Sequence, residues 1–263
     1  MTDAALDGSS AEYPAMAAAR DRVEPAPRRV RGVLNGVVVF DTRHALYVWE
    51  VPYYPQYYIP LEDVVGDLLV DEGREMSLRL GTARRHGVRV ADHTRDRAAR
   101  VHGADSALGL GGFVRFEWEA LDAWFEEDEE IFVHPRNPYV RVDALRSRSP
   151  LRIELDGVVL AESEAPVLVF ETGLPTRYYV DRTDVRWGHL VPSPTESSCP
   201  YKGTTSDYWS VSTPTGRHED IAWSYRFTTD ALRAVAGLVA FYDEKVDVFL
   251  DSVRQQRPHT HFG

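Results

Sequence analysis

The one cysteine of the chain, Cys199, lies in the stretch TESSCPYKGTTSDYW, Thr195 to Trp209. Pro200 and Tyr201 separate it from Lys202, and Gly203 follows. A thiol and an amine on one short turn, fixed by proline and opened by glycine, are the parts of a nucleophilic or redox site. A neighbouring cation and the N–H groups of a turn favour the reactive thiolate. The same residues also describe a buried, inert thiol, the usual state of a lone cysteine. Glu171 closes the apolar run Val167-Leu168-Val169-Phe170 and, by period two, shares a face with Val169. A carboxylate on that face needs a partner such as Lys202 or Arg177, as an acid/base or as a structural ion pair. Cys199, Lys202 and Glu171 are therefore the catalytic candidates.

Four rings are the candidates for an aromatic ligand pocket: Tyr178, Tyr179, Trp209 and Trp223. Packing in a β core is the alternative for each. Asp220 joins them as a ligand-binding candidate, although turn capping or pairing with arginine accounts for it and for Asp184 as well. No metal is expected. One cysteine excludes a zinc site of several thiolates, and His86, His93 and His102 have no ligand spacing. His259-Thr260-His261 lies in a Gln-, Pro- and Arg-bearing tail, residues 254–263. No cofactor motif is present either: there is no glycine-rich phosphate loop.

Positioning these residues falls to strands. The chain has 263 residues, 43% hydrophobic, with 13 Tyr, 10 Phe and 6 Trp. Rings and valines of that number favour sheet over helix. The net charge of −11 argues against nucleic acid and anionic membranes as partners. No run of about 18 apolar residues predicts a membrane helix, and the N-terminus lacks the pattern of a secretory signal. A cytoplasmic location is expected, since a lone cysteine fits a reducing interior. Ala, Pro and charge predict a disordered tail over residues 1–27. The acidic run Glu126 to Glu130 reads as a solvated face.

An internal repeat organises what lies between. Arg31 to Val64 aligns without a gap on Arg152 to Val185. Asn35-Gly36 falls on Asp156-Gly157, Glu50 on Glu171, Tyr57-Tyr58 on Tyr178-Tyr179, and Asp63 on Asp184. Both Asn-Gly and Asp-Gly predict tight hairpins. Further on, Gly81-Thr82 faces Gly203-Thr204, Phe113 to Trp118 is set against Ile221 to Phe227, and Gly87 against Trp209. A short helix is expected over Ala231 to Ala236, with Glu119 to Glu129 as its counterpart. Two domains follow, 28–146 and 150–253, joined by the polar stretch Arg146 to Pro150.

The paired N/D-G turns, the strand ending in Glu, Ser198-Cys199-Pro200-Tyr201-Lys202-Gly203, Asp220-Ile221-Ala222-Trp223 and Ala236 to Phe249 resemble the domain of unknown function 427 family, twice over. The resemblance covers nearly all of Arg28 to Val253. It implies two tandem, mainly β, compact antiparallel domains of the β-tent type with few short helices. That fold is shared with methionine-R-sulfoxide reductases and the cereblon ligand-binding domain. Relatives of that type often hold zinc on four cysteines, which this chain lacks. The family has no established activity, and its nucleotidyltransferase label finds no paired-aspartate metal site here. The first copy departs from the pattern, with Leu78-Arg79-Leu80 in place of the Cys-Pro-Tyr-Lys turn. It reads as a degenerate copy, structural or regulatory. The second copy reads as the holder of a small-molecule site, catalytic or only binding, with a protein-interaction module as the rival. The ligand and the oligomeric state are not legible.

Overall fold

The computed structural model describes residues 21–260. Its contacts divide the chain between Asn137 and Pro138 into two units. The first repeat holds β1 (Val23–Pro25), β2 (Val30–Leu34), β3 (Val37–Thr42), β4 (Leu46–Val48), β5 (Gln56–Pro60), β6 (Leu69–Leu78), β7 (Gly81–Val90), β8 (His93–His102), β9 (Phe113–Phe116), β10 (Ala123–Glu126) and β11 (Glu129–Ile131). The second holds β12 (Val142–Arg146), β13 (Leu151–Leu155), β14 (Val158–Ser163), β15 (Val167–Glu171), β16 (Arg177–Val180), β17 (Leu190–Ser193), β18 (Ser198–Cys199), β19 (Gly203–Thr204), β20 (Asp207–Thr213), β21 (Gly216–Ser224), β22 (Val239–Phe241), β23 (Asp247–Leu250) and β24 (Val253–Arg254).

The same topology appears twice. In the first repeat a 7-stranded sheet runs β1-β4-β5-β9-β8-β7-β6, and a 4-stranded sheet runs β11-β10-β2-β3. In the second the orders are β12-β15-β16-β22-β21-β20-β17 and, read from its other edge, β24-β23-β13-β14. Every residue of the two hairpin turns takes the positive φ that a type I′ turn needs: 48° and 74° at Asn35-Gly36, 53° and 76° at Asp156-Gly157. The bridges Phe40 to Val64 and Ala161 to Val185 recur at matching positions. The tandem duplication and the mainly antiparallel β class are thus as the sequence predicts.

Alternation along each strand decides the two faces of the large sheet. In the first repeat Tyr57 and Ile59 of β5 join Phe40, Val114, Phe116 and Trp124 in the main core, while Tyr58 turns to the other face with Val48, Leu80 and Leu110. In the second, Tyr178 and Val180 of β16 join Ile153, Val211, Phe241 and Val248. Tyr179 turns instead to Tyr208, Trp223, Tyr225 and Leu232. Burying one such large side chain contributes about 1.5–3 kcal/mol.

Several expectations need correction. The tail does not run to Pro27: Val23–Pro25 is a strand paired with β4, Ala26 is buried, and residues 1–20 lie outside the described range. The second repeat starts before the linker expected at Arg146 to Pro150, because β12 pairs along its whole length with β15. No helix spans Glu119 to Glu129: a 3-10 turn at Trp118–Ala120 leads into β10 and β11. The period there is two, with Trp124 and Glu126 both inward. Glu126 is therefore not solvated: it is 4% exposed, accepts from the Tyr57 hydroxyl at 2.6 Å and pairs with Arg28. The short helix expected at Ala231 is a 3-10 turn, Asp230–Val235.

The second halves of the repeats also align differently. Tyr179 pairs with Ala240 and Val180 with Val239; Ile59 pairs with Val114. β9 therefore corresponds to β22, not to β21. β8 is the counterpart of β21, and the register sets Arg100 on Trp223 and Arg115 on Ala240. In β7 and β20 the pairs His86 to Ala99 and Trp209 to Ala222 make His86, not Gly87, the counterpart of Trp209.

Candidate functional site

The Cys199 turn is a small hairpin. β18 pairs with β19, Cys199 opposite Gly203, and the Lys202 amide donates to the Cys199 carbonyl at 3.2 Å. Gly203 sits at φ 99°, and a Cβ there would come within 3.0 Å of the Phe227 carbonyl oxygen. Glycine is required on both counts. The hairpin is docked by the Thr229 hydroxyl, which donates to the Tyr201 carbonyl at 2.6 Å.

From this turn Lys202 points inward. Its ammonium donates to Glu171 at the end of β15 and lies 3.9 Å from Cys199 Sγ. The three catalytic candidates thus meet. Lys202 is 9% exposed, however, and its partner carboxylate is also largely covered. Lys202 does not reach solvent. Burial alone disfavours the ammonium, but Cys199, Glu171 and Tyr179 outweigh it and hold the lysine above its ordinary pKa. Lys202 therefore stays charged and cannot serve as an amine nucleophile. Cys199 is partly exposed.

The floor of the site is aromatic. Tyr179 is fully buried; the indole N–H of Trp223 approaches its hydroxyl without reaching full hydrogen-bond geometry, and neither group has another partner. The two rings meet edge to face at 6.3 Å. Burial raises the Tyr179 hydroxyl to about 12, against the opposing charge of Lys202. Tyr225 is held well above its ordinary value by burial, then by Tyr179 and Cys199. Beside them Ser197, Tyr208 and Tyr242 form a hydroxyl chain with links of 2.9 Å.

Two ring candidates leave the site. Tyr178 and Trp209 follow and precede residues that point the other way, so both lie in the core between the sheets. Trp209 packs on Trp187 at 5.3 Å, with Arg182 over both rings. Consecutive strand residues cannot line one pocket, and Tyr178-Tyr179 and Tyr208-Trp209 obey this. Asp220 accepts from Ser193 and Thr195 at 2.6 and 2.7 Å, anchoring the chain that leads to the hairpin rather than meeting the thiol. Arg177 does not serve Glu171. It makes a bidentate pair with Glu244 at 2.7 and 2.5 Å and approaches Asp243 at 3.5 Å. Asp243 is buried with Oδ1 unpartnered, and burial pushes it up to about 7 despite Arg177. Of the tail histidines, His259 is described and exposed, and His261 lies outside the described residues.

In the first repeat the counterpart carboxylate, Glu50, accepts from the Tyr58 hydroxyl at 2.9 Å. Although no lysine stands at the Lys202 position, Glu50 has a cation. Arg115 Nε stands 3.4 Å from Glu50, reaching from the sheet position that Ala240 fills in the second repeat. Leu80 packs under Tyr58 where Lys202 would enter, as expected, but Leu78 is only half-buried.

The family model for NTP_transf_9, a domain of unknown function (DUF427), matches residues 22–127 and again residues 143–252. The chain belongs to this family. The first match begins just before β1 and the second one residue into β12, the two strands that the sequence left outside their domains. No curated protein matches the chain. Among the described residues no helix is long and apolar enough to cross a membrane.

Proposed function

We propose that the second repeat of this DUF427 protein binds a small molecule at the Cys199 hairpin. The carrying observation is the under-satisfied pair of donors, the Tyr179 hydroxyl and the Trp223 indole N–H that only approaches it, with Tyr179 buried near Cys199 and the fixed Lys202 ammonium. An unpaired buried donor costs about 1–3 kcal/mol. A fold tolerates that cost where a ligand supplies the missing acceptor. The occupant is therefore a molecule with a carbonyl, carboxylate or similar oxygen for these donors. Glu171 keeps Lys202 charged and in place; the rings of Tyr179 and Trp223 supply apolar contact. A reducing, cytoplasmic setting suits the free thiol. The test is a thermal-shift screen of wild type and Tyr179→Phe against a metabolite set. A ligand binding only the folded state raises the melting temperature; hits should be lost in Tyr179→Phe. Hits retained there would refute the reading.

A thiol-based reaction is the second reading, favoured by the 3.9 Å approach of Lys202 Nζ to Sγ at a partly exposed cysteine. There solvent takes the thiol proton, the thiolate sulfur adds to a carbonyl carbon, the C=O π bond breaks with its electron pair moving to oxygen, and Lys202, staying protonated, stabilises the resulting negative charge. Alkylation of Cys199 by iodoacetamide at neutral pH, followed by intact mass, tests it. A rate no faster than that of an unfolded control peptide would exclude it.

A further inference from the structure

The large sheet of the first repeat carries a feature that the second lacks. Arg85, Arg100 and Arg115 are cross-strand neighbours on β7, β8 and β9. They point to the face opposite the main core, beside Tyr58 and His102. The register sets two of the three on the aromatic positions Tyr208 and Trp223 of the second repeat, and the third on Ala240. Like charges directly opposite one another in a sheet are destabilising. Arg85 is satisfied by Glu72 at 2.5 Å. The other two are not fully satisfied: Nε of Arg100 and Nε2 of His102 are buried without a hydrogen-bond partner, and Nε of Arg115 has only the ion pair to Glu50 at 3.4 Å, short of a full hydrogen bond. Arg115 is 9% exposed and His102 is 3% exposed. Two orphaned nitrogens on one patch, beside a third held only by a long ion pair, are a cost that core packing does not explain.

One group already shows what chemistry the patch accepts. Glu117 spans the two guanidiniums, one oxygen 2.9 Å from Arg100 and the other on Arg115. Its side chain is 42% exposed and comes from the edge of the cluster. An exposed carboxylate on paired arginines is an internal stand-in for an oxyanion. We propose that the first repeat is a second binding site, taking a small oxyanion on Arg100 and Arg115 with Glu117 displaced. The ligand carries a carboxylate or a phosphoryl group, and Tyr58 and His102 border it. This site does not depend on the Cys199 site, and the first copy is then a diverged site and not an inert one.

The test is isothermal titration of the full chain with inorganic phosphate and, separately, with succinate, at ionic strength matched by chloride. Binding of phosphate alone assigns a phosphoryl ligand; binding of succinate alone assigns a carboxylate. Glu117→Gln removes the competing carboxylate and should tighten binding about tenfold, while Arg100→Met should weaken it by at least as much. Circular dichroism checks that Arg100→Met folds; Glu117→Gln keeps the test open if it does not. Absence of binding by either anion to both wild type and Glu117→Gln overturns the proposal. So does an affinity unmoved by Glu117→Gln.

Discussion

Lys202 shows how far a single residue can be read. Its place beside Cys199 and its pairing with Glu171 were legible from the turn and from the carboxylate at a strand end. Its burial was not, because the Phe227 to Thr229 stretch that packs against the hairpin comes from residues 28 positions further along the chain. Burial changes the expected outcome of mutation. Lys202→Met leaves Glu171 uncompensated and should destabilise the protein by about 3–5 kcal/mol in urea unfolding, with Lys202→Met/Glu171→Gln recovering much of it. A neutral single mutant would mean the pair is solvent-like. Asp243 gives a second residue-scale prediction. Its folded pKa of about 7 is raised above the ordinary carboxylate value of about 3.9. A raised carboxyl stabilises the fold fully below the unfolded pKa, and that contribution is lost as pH rises through the folded one. Stability should therefore fall between about pH 4 and pH 7. Asp243→Asn should flatten this slope. Melting curves of both proteins at pH 5 and pH 8 check it; equal slopes would contradict the assignment.

At the scale of elements, glycine and alternation explain both what was read and what was missed. Gly81 and Gly203 lie at φ 116° and 99°, each against the backbone of a following loop, so the match between the repeats at this turn is a steric requirement. Gly203→Ala should destabilise the second repeat and, by shifting the hairpin, alter alkylation of Cys199. Far-ultraviolet dichroism with denaturant and the alkylation rate test the two effects separately. The strands were legible because period two is written in residues such as Val167 to Glu171. The pocket roster was not, since it set Tyr178 beside Tyr179, and took Trp209 rather than Tyr208, without asking which neighbour faces the core. Strand pairing was also out of reach of a linear alignment. Arg115 meets Glu50 only because β9 lies against β5 in the sheet, and nothing in the spacing of the two residues says so.

For the whole molecule, duplication has kept one scaffold and changed the chemistry on one sheet face. The inner cores correspond closely: Leu34, Phe40 and Ile59 recur as Leu155, Ala161 and Val180. The opposite face is arginine, histidine and Glu117 in one copy and tyrosine, tryptophan and a cysteine hairpin in the other. Because each repeat has its own core, Leu80→Ala should cost about 2–5 kcal/mol in the first repeat and leave iodoacetamide labelling of Cys199 unchanged. A change in labelling would show that the copies are coupled. The central claim, that the second face is built for an absent acceptor, is tested most directly by the stability of Tyr179→Phe without any ligand. Replacing an under-satisfied buried hydroxyl by hydrogen removes a desolvation cost and no full hydrogen bond, only the approach of the Trp223 N–H. Urea denaturation of Tyr179→Phe should therefore give a midpoint equal to or above that of wild type. A loss of about 1 kcal/mol or more would contradict the account, because the hydroxyl would then be satisfied within the fold.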